Sequence, residues 1–173
     1  MTRTGRSSGQ AVPLRLMTVC TGNICRSPMA QIALAEHLAQ AGVDAIVDST
    51  GTSDEEWAAP IDARARRVLT RAGYRIPAHR ARQVTAEDLA ERDLILPMTR
   101  GHRRYLERLA ERSSLRPAIR LLREFDPAAP APSHPDIDID DPWYGGTEDF
   151  VRTLAQIEAA APGVVAWARE VRA

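Results

Sequence analysis

The feature that most constrains the fold is residues 14–28, where an apolar segment passes through a short polar loop into a helical pattern. A short buried strand is favoured by four apolar residues, Leu14, Leu16, Met17 and Val19. Ser27 is a favourable N-cap and Pro28 a favourable first helical residue, and apolar side chains then recur at helical spacing. The pattern therefore predicts a strand followed closely by a helix.

The loop between strand and helix, residues 20–26, combines a thiol with groups that bind anions. Gly22 and Asn23 tolerate left-handed backbone angles, so the loop can turn its N–H groups inward. Such N–H groups at a helix N-terminus bind a dianion, and the same field favours the thiolate of Cys20. Arg26 can hold two phosphate oxygens with its planar guanidinium. The loop therefore predicts phosphoryl transfer through a cysteine, without a metal.

These residues, VCTGNICRSP from Val19 to Pro28, resemble the catalytic loop V-C-x-G-N-x-C-R-S-P of the low-molecular-weight protein tyrosine phosphatases. The match has no gap and is much more specific than the C-x5-R spacing alone. The resemblance implies that Cys20 is the nucleophile, that Arg26 is the clamp, meaning the arginine that holds the phosphate oxygens, and that no cofactor is needed. It also implies a phosphate-binding loop made of Thr21, Gly22, Asn23, Ile24, Cys25, Arg26 and Ser27.

A long aperiodic segment at 126–146 carries the expected general acid. A loop of this length inside a compact domain is usually functional. The family has a D-P-aromatic motif on a late loop, and Asp141 matches its acid. Pro142 favours an extended backbone at Asp141, which presents the carboxyl group. The resemblance also implies that Trp143 and Tyr144 are aromatic walls of the substrate pocket.

The acidic residues just before this motif leave alternatives open. Asp136, Asp138 and Asp140 alternate as at the start of a calcium loop, but the pattern then fails. Asp141 stands where glycine is needed, and Thr147 where the bidentate glutamate should be. We favour a solvated acidic loop for Asp136 and Asp138, while Asp140 remains a second candidate for the acid. No metal site is expected.

Further roles are assigned by the same resemblance. Residues 49–57 are similar to the family's S-A-G-T-S-x-W loop but longer by two residues. Trp57 is therefore a third expected wall of the pocket, with an exposed or core tryptophan as the alternative. Four residues are expected to support the phosphate loop through hydrogen bonds: Asn23, Ser27, Ser49 and His79.

Protein phosphotyrosine is the favoured substrate, because Ile24 is apolar and suits a flat aromatic ring. Thr99 replaces an acidic residue found in many members, and a Met-Thr form occurs among the family's protein arginine phosphatases. Phosphoarginine therefore remains an alternative, as does a non-catalytic phosphoprotein-binding module. Thiol-cascade arsenate reduction would need a third cysteine, and the chain has two. In the family, the pair Cys20 and Cys25 can form a reversible, protective disulfide.

Composition is that of a small globular protein. A length of 173 residues suits one domain, which we place at 12–173 after a flexible tail at 1–11. The formal net charge of zero gives no reason to expect nucleic acid or an anionic membrane as a partner. Residues 1–13 are polar and show no secretory signal, so we expect a cytoplasmic protein with reduced cysteines. We also expect a monomer or weak dimer.

Strand and helix patterns alternate along the rest of the chain, which predicts a parallel sheet covered on both faces. Further strands are expected at 45–47, 94–96 and 119–122, and helices at 61–72, 85–91, 101–111 and 147–171. We expect a break in the last helix at Pro162-Gly163. The predicted class is a three-layer α/β fold, and the family resemblance implies four strands with flavodoxin-like winding.

Overall fold

The structure is a computed structural model that describes residues 12–173, so the tail predicted at 1–11 lies outside the described residues. Three parallel strands form a sheet in the order β2-β1-β3: β1 (Leu14–Cys20), β2 (Ala45–Gly51) and β3 (Leu94–Pro97). The helices are α1 (Arg26–Gln40), α2 (Ala63–Arg71), α3 (Ala86–Ala90), α4 (Arg100–Arg112) and α5 (Thr147–Arg172). Short 3-10 turns occur at Leu122–Phe125, Pro135–Ile137 and Pro142–Tyr144.

Helices cover both faces of the sheet, which confirms the predicted three-layer α/β class. Alternate residues of a strand face opposite sides, and Leu16 of β1 packs with α1, α2 and α5. Its neighbour Met17 packs on the other side with α3 and α4. No helix within residues 12–173 is long and apolar enough to cross a membrane. The middle position of β1 places its carboxyl end, and the loop that follows, at the centre of one sheet edge.

The strand predicted at 119–122 is reduced to one parallel bridge, so the expectation of four strands was wrong. Ile95 makes backbone hydrogen bonds of 2.9 and 3.0 Å with the segment around Ile119. In this register Pro97 would donate the next hydrogen bond, but proline has no N–H. The carboxylate of Glu124 accepts the backbone N–H at the start of the following 3-10 turn. Strand pairing therefore stops after one residue pair.

Helix α1 begins two residues earlier than its sequence indicates. Cys25 occupies the N-cap position and Arg26 is the first helical residue, so Ser27 lies within the first turn. The predicted capping role of Ser27 is therefore wrong, and its hydroxyl group faces the phosphate loop instead. The N-cap predicted at Thr85 is confirmed, because Thr85 and Asp88 form a capping box at α3.

Helix α5 continues through Pro162-Gly163, where a break was expected. Pro162 lies on the exposed side of the helix, where the carbonyl that loses its donor can be hydrated. Gly163 instead permits close packing: a Cβ atom there would lie 2.0 Å from the carbonyl oxygen of Phe125. The glycine therefore brings α5 against the turn at Leu122–Phe125 rather than ending the helix.

We expect Gly163→Ala to lower the free energy of unfolding by about 1–3 kcal/mol, the usual cost of overpacking a core. The added methyl group would push α5 away from Phe125. Thermal unfolding followed by circular dichroism measures the effect. Gly146→Ala is a matched control, since a Cβ atom there has no neighbour within 4 Å. An unchanged melting temperature for Gly163→Ala would contradict the close packing.

Candidate active site

The loop at residues 20–26 leaves the carboxyl end of β1 and enters α1 directly. Asn23 provides its left-handed turn with φ of 59°, a conformation that asparagine tolerates. Gly22 instead allows the loop to lie close to the side chain of Glu56, because a Cβ atom at Gly22 would lie 3.0 Å from Cγ of Glu56. A Cβ atom on Gly51 of β2 would lie 2.4 Å from the carbonyl oxygen of Thr21. The loop backbone therefore rests directly on the neighbouring strand.

The buried side chain of Asn23 holds the loop in place. Its Nδ2 donates to Oγ of Ser27 and to Oγ of Ser49, both at 2.9 Å. Its Oδ1 accepts the backbone N–H of Arg82 at 3.1 Å. Its backbone carbonyl lies 2.7 Å from Nε2 of His79, and burial lowers the pKa of this histidine. The four residues predicted to support the loop therefore meet in one network.

Cys20 lies in the core beneath the loop, with its Sγ 3.1 Å from Oγ of Ser27. The Ser27 hydroxyl is also within 3.2 Å of the carbonyl of Thr50. Its single proton can therefore turn either to that carbonyl or to a thiolate at Cys20. Cys25 is buried as well, and both cysteines are free thiols. Burial, reinforced by the charge of Asp62, raises the pKa of Cys25 to about 12, so its thiol is neutral at pH 7.

Arg26 is buried and joins the phosphate loop to the segment that carries Asp141. Its Nη2 donates to Oδ2 of Asp141 at 2.7 Å, and its Nη1 donates to the carbonyl of Ile139 at 3.1 Å. Its Nε is buried and has no hydrogen-bond partner within residues 12–173. Oδ1 of Asp141 accepts the backbone N–H of Trp143 at 3.2 Å. The guanidinium that could bind a phosphate is therefore paired with the predicted acid.

One pocket brings the predicted nucleophile, clamp and acid together. Its aromatic wall is formed by Trp143 and Tyr144, as expected. The full lining is Cys20, Thr21, Gly22, Ile24, Cys25, Arg26, Glu55, Glu56, Asp141, Trp143 and Tyr144. The pocket thus combines an anion-binding floor with apolar and acidic sides.

Trp57 does not reach this pocket. Its backbone N–H closes a turn on the carbonyl of Asp54 at 3.0 Å, and its side chain is 69% exposed. Glu55 and Glu56 line the pocket on this side instead. The longer loop therefore turns Trp57 outward, and the structure does not support the wall role expected for it.

The acidic residues before Asp141 have separate positions. Asp138 accepts the backbone N–H of Arg100 at 2.7 Å, at the start of α4, and pairs with its side chain. It is therefore not the freely solvated carboxylate expected. Asp136 is exposed, and Asp140 is exposed and outside the pocket lining. The geometry favours Asp141 over Asp140 as the acid.

Residues 15–172 match the family model of low molecular weight phosphotyrosine protein phosphatases. The chain belongs to this family. It is 41% identical over 160 residues to low molecular weight protein-tyrosine phosphatase A of Mycobacterium tuberculosis, covering 91% of this chain and 93% of that protein.

Two solved structures of phosphatases resemble the chain over most of their length. The protein tyrosine phosphatase of Entamoeba histolytica is 26% identical, with a TM-score of 0.81 and coverage of 92% of this chain and 99% of that one. An arginine phosphatase of Drosophila is 26% identical, with a TM-score of 0.79 and coverage of 88% and 96%. The same fold thus occurs in a protein named as an arginine phosphatase.

Sequence reasoning gave no role to His102, although the structure places it beneath the phosphate loop of this phosphatase. Its Nε2 lies 2.9 Å from Oγ1 of Thr21. Its Nδ1 is buried without a hydrogen-bond partner in the described part of the chain. Burial, together with the charge of Arg26, lowers the pKa of His102 to about 3. One feature of the sequence could have indicated a role for His102: it follows β3 closely and therefore lies at the same edge of the sheet as Cys20.

We expect His102→Asn to make stability less sensitive to acid. At pH 7, His102 is largely neutral in both the folded and the unfolded protein. Below the ordinary histidine pKa of 6.5 the unfolded chain gains a proton, whereas burial in the folded protein lowers the pKa of His102 to about 3 and excludes this proton. Stability is therefore lost as the pH falls through this window. From pH 7 to pH 5 the variant should lose about 2 kcal/mol less than the wild type.

Urea unfolding at the two pH values measures this difference. The exposed His134, changed to asparagine, is the matched control. Equal losses of stability in the wild type and in His102→Asn would show that His102 is not held neutral by the fold.

Proposed function

We propose that this chain is a metal-independent protein-tyrosine phosphatase that works through a cysteinyl-phosphate intermediate. The observation that carries the proposal is the meeting of Cys20, Arg26 and Asp141 in one pocket beside Trp143 and Tyr144. Family membership adds independent support. The loop N–H groups, the guanidinium and the start of α1 supply the positive field that a phosphate dianion requires.

In the first step, the Cys20 thiolate attacks phosphorus in line with the ester oxygen, and the bond from phosphorus to that oxygen breaks. The loop N–H groups and Arg26 hold the equatorial oxygens as charge shifts. Asp141 gives its proton to the departing phenolate oxygen. A phosphate dianion competes with Asp141 for the Arg26 guanidinium, which frees the carboxyl group to face the leaving oxygen.

In the second step, water attacks the phosphorus of the cysteinyl phosphate. The Asp141 carboxylate takes a proton from this water, the bond from phosphorus to sulfur breaks, and inorganic phosphate is released. The Ser27 hydroxyl, 3.1 Å from Sγ of Cys20, can donate to the departing thiolate. Asn23 keeps Ser27 in this position by its hydrogen bond of 2.9 Å.

The walls of the pocket favour an aromatic phosphoester. Ile24, Trp143 and Tyr144 offer apolar and aromatic surface to a phenyl ring. Protein arginine phosphatase activity is the second candidate, favoured by Thr99 and by the similarity to the Drosophila enzyme. A non-catalytic phosphoprotein-binding module is a third reading, but it gives no reason for an acid beside the clamp.

We also propose the setting in which the enzyme works. Its partners would be phosphotyrosine proteins or peptides and not nucleic acid, consistent with the formal net charge of zero. Residues 12–173 would act as one phosphatase domain, as a monomer or weak dimer. Two free cysteines suit a reducing compartment, and we place the protein in the cytoplasm.

Matched phosphotyrosine and phosphoarginine peptides, assayed in EDTA for phosphate release, test the proposed activity. We expect faster turnover of the phosphotyrosine peptide and loss of turnover in Cys20→Ser, because serine is a much weaker nucleophile than a thiolate at neutral pH. A preference for phosphoarginine would select the second candidate. Binding of both peptides without turnover would favour the binding module.

We further propose that Cys25 protects the nucleophile from over-oxidation. Peroxide would oxidise the Cys20 thiolate to a sulfenic acid, which the Cys25 thiol would convert to a disulfide with release of water. The raised pKa of Cys25 keeps it a neutral thiol, so peroxide should attack Cys20 first. Dithiothreitol should restore most activity to the peroxide-treated wild type but little to Cys25→Ala. Equal recovery of the two proteins would contradict a protective role.

A further inference from the structure

A chain of contacts at the start of α2 connects the phosphate loop to the segment that carries the acid. The backbone N–H of Asp62 donates to the carbonyl of Ile24 in the phosphate loop at 2.9 Å. The Asp62 carboxylate accepts from Nε and Nη2 of Arg64 at 3.1 and 3.0 Å, and from the Arg64 backbone N–H at 2.7 Å. The two side chains are therefore paired in a fork-to-fork geometry.

Arg64 extends this chain to the turn that follows the acid. Its Nη1 donates to the carbonyls of Trp143 and Gly145, each at 3.1 Å. Its guanidinium also lies over the ring of Phe150 at 4.7 Å and over the ring of Trp143 at 5.4 Å. The acid-bearing turn is thus held both by its carbonyl groups and by one of its aromatic rings.

The position of this turn sets the position of Asp141. Asp141 is the N-cap of the 3-10 turn Pro142–Tyr144, and its Oδ1 accepts the N–H of Trp143. Arg64 donates to the backbone carbonyls of Trp143 and Gly145, which belong to the same turn. A shift of the turn would therefore move the Asp141 carboxyl group relative to the sulfur of Cys20.

We propose that Asp62 and Arg64 are positioning residues, which fix the general acid relative to the phosphate loop. The proposal rests on the proposed function, since it assumes that Asp141 protonates the leaving group. Asp62 and Arg64 are only 12% and 27% exposed, and a largely buried ion pair contributes little net stability because desolvation offsets its attraction. What the pair adds is a fixed geometry between two loops.

The strength of the leaving group provides a test that a purely structural role would not satisfy. Proton donation matters more for phenyl phosphate, which has a poor leaving group, than for p-nitrophenyl phosphate, which has a good one. We expect Arg64→Ala to lower kcat/KM for phenyl phosphate about tenfold more than for p-nitrophenyl phosphate. A displacement near 1 Å can cost about a hundredfold in rate, so this size is reasonable for a loosened turn.

Four further variants separate the possible explanations. Arg64→Lys keeps the charge but cannot form the fork, so it should show most of the same selective loss. Arg67→Ala is the matched control, because Arg67 is exposed on the same helix and forms no ion pair in the described chain. Asp141→Asn is the reference for complete loss of the acid, and adding Arg64→Ala to it should cause no further selective loss.

Two results would overturn the proposal. One is an equal fall in kcat/KM for both substrates in Arg64→Ala, and the other is no fall beyond that of Arg67→Ala. If Asp141→Asn itself lowers kcat/KM equally for both substrates, the assignment of Asp141 as the general acid is wrong, rather than the positioning role of Asp62 and Arg64. Circular dichroism and inhibition by inorganic phosphate check folding and the phosphate loop, and Arg64→Lys carries the test if Arg64→Ala does not fold.

Discussion

The active-site loop depends on the hydrogen bonds of one buried side chain, that of Asn23. Its amide reaches Ser27 in α1 and Ser49 in β2, and it accepts from the backbone of Arg82. Each such bond contributes about 1 kcal/mol, and a partner left unpaired in the core would cost more. The segment that supplies Arg82 also pairs with Gly51, the residue on which the loop backbone rests. Contacts with the sheet therefore fix the loop in the conformation that we propose binds the anion.

The guanidinium of Arg26 creates a second constraint, because a buried cation needs an anionic partner. In this structure Asp141 fills that role at 2.7 Å. The charge that would bind a phosphate dianion thus keeps the acid-bearing turn over the pocket. His102, close to the same cation, is kept neutral by burial and by this charge, so it adds no second positive charge beneath the loop.

Local signals predicted the parts of the site that neighbouring residues determine. The Cys20 loop could be recognised because it is a short segment with its own backbone preference, and the motif at Asp141 because it resembles the short D-P-aromatic motif of the family. The outward turn of Trp57 could not, since it depends on how a longer loop closes. The lost fourth strand depends on Pro97 meeting a distant segment in one register, and the unbroken α5 depends on Gly163 packing against Phe125. Long-range contacts decided each of these.

Arg64 shows how such a distant contact joins recognition to chemistry. It lies 79 residues before Trp143, so no local pattern could pair the two. Trp143 offers its ring to the pocket while its backbone binds both Arg64 and Asp141. If Asp141 is the acid, ring binding and proton transfer share one short turn, and a substrate that displaces Trp143 would also displace the Asp141 carboxyl group. The selectivity of this pocket for aromatic esters would then reside in the rate of proton transfer as well as in binding.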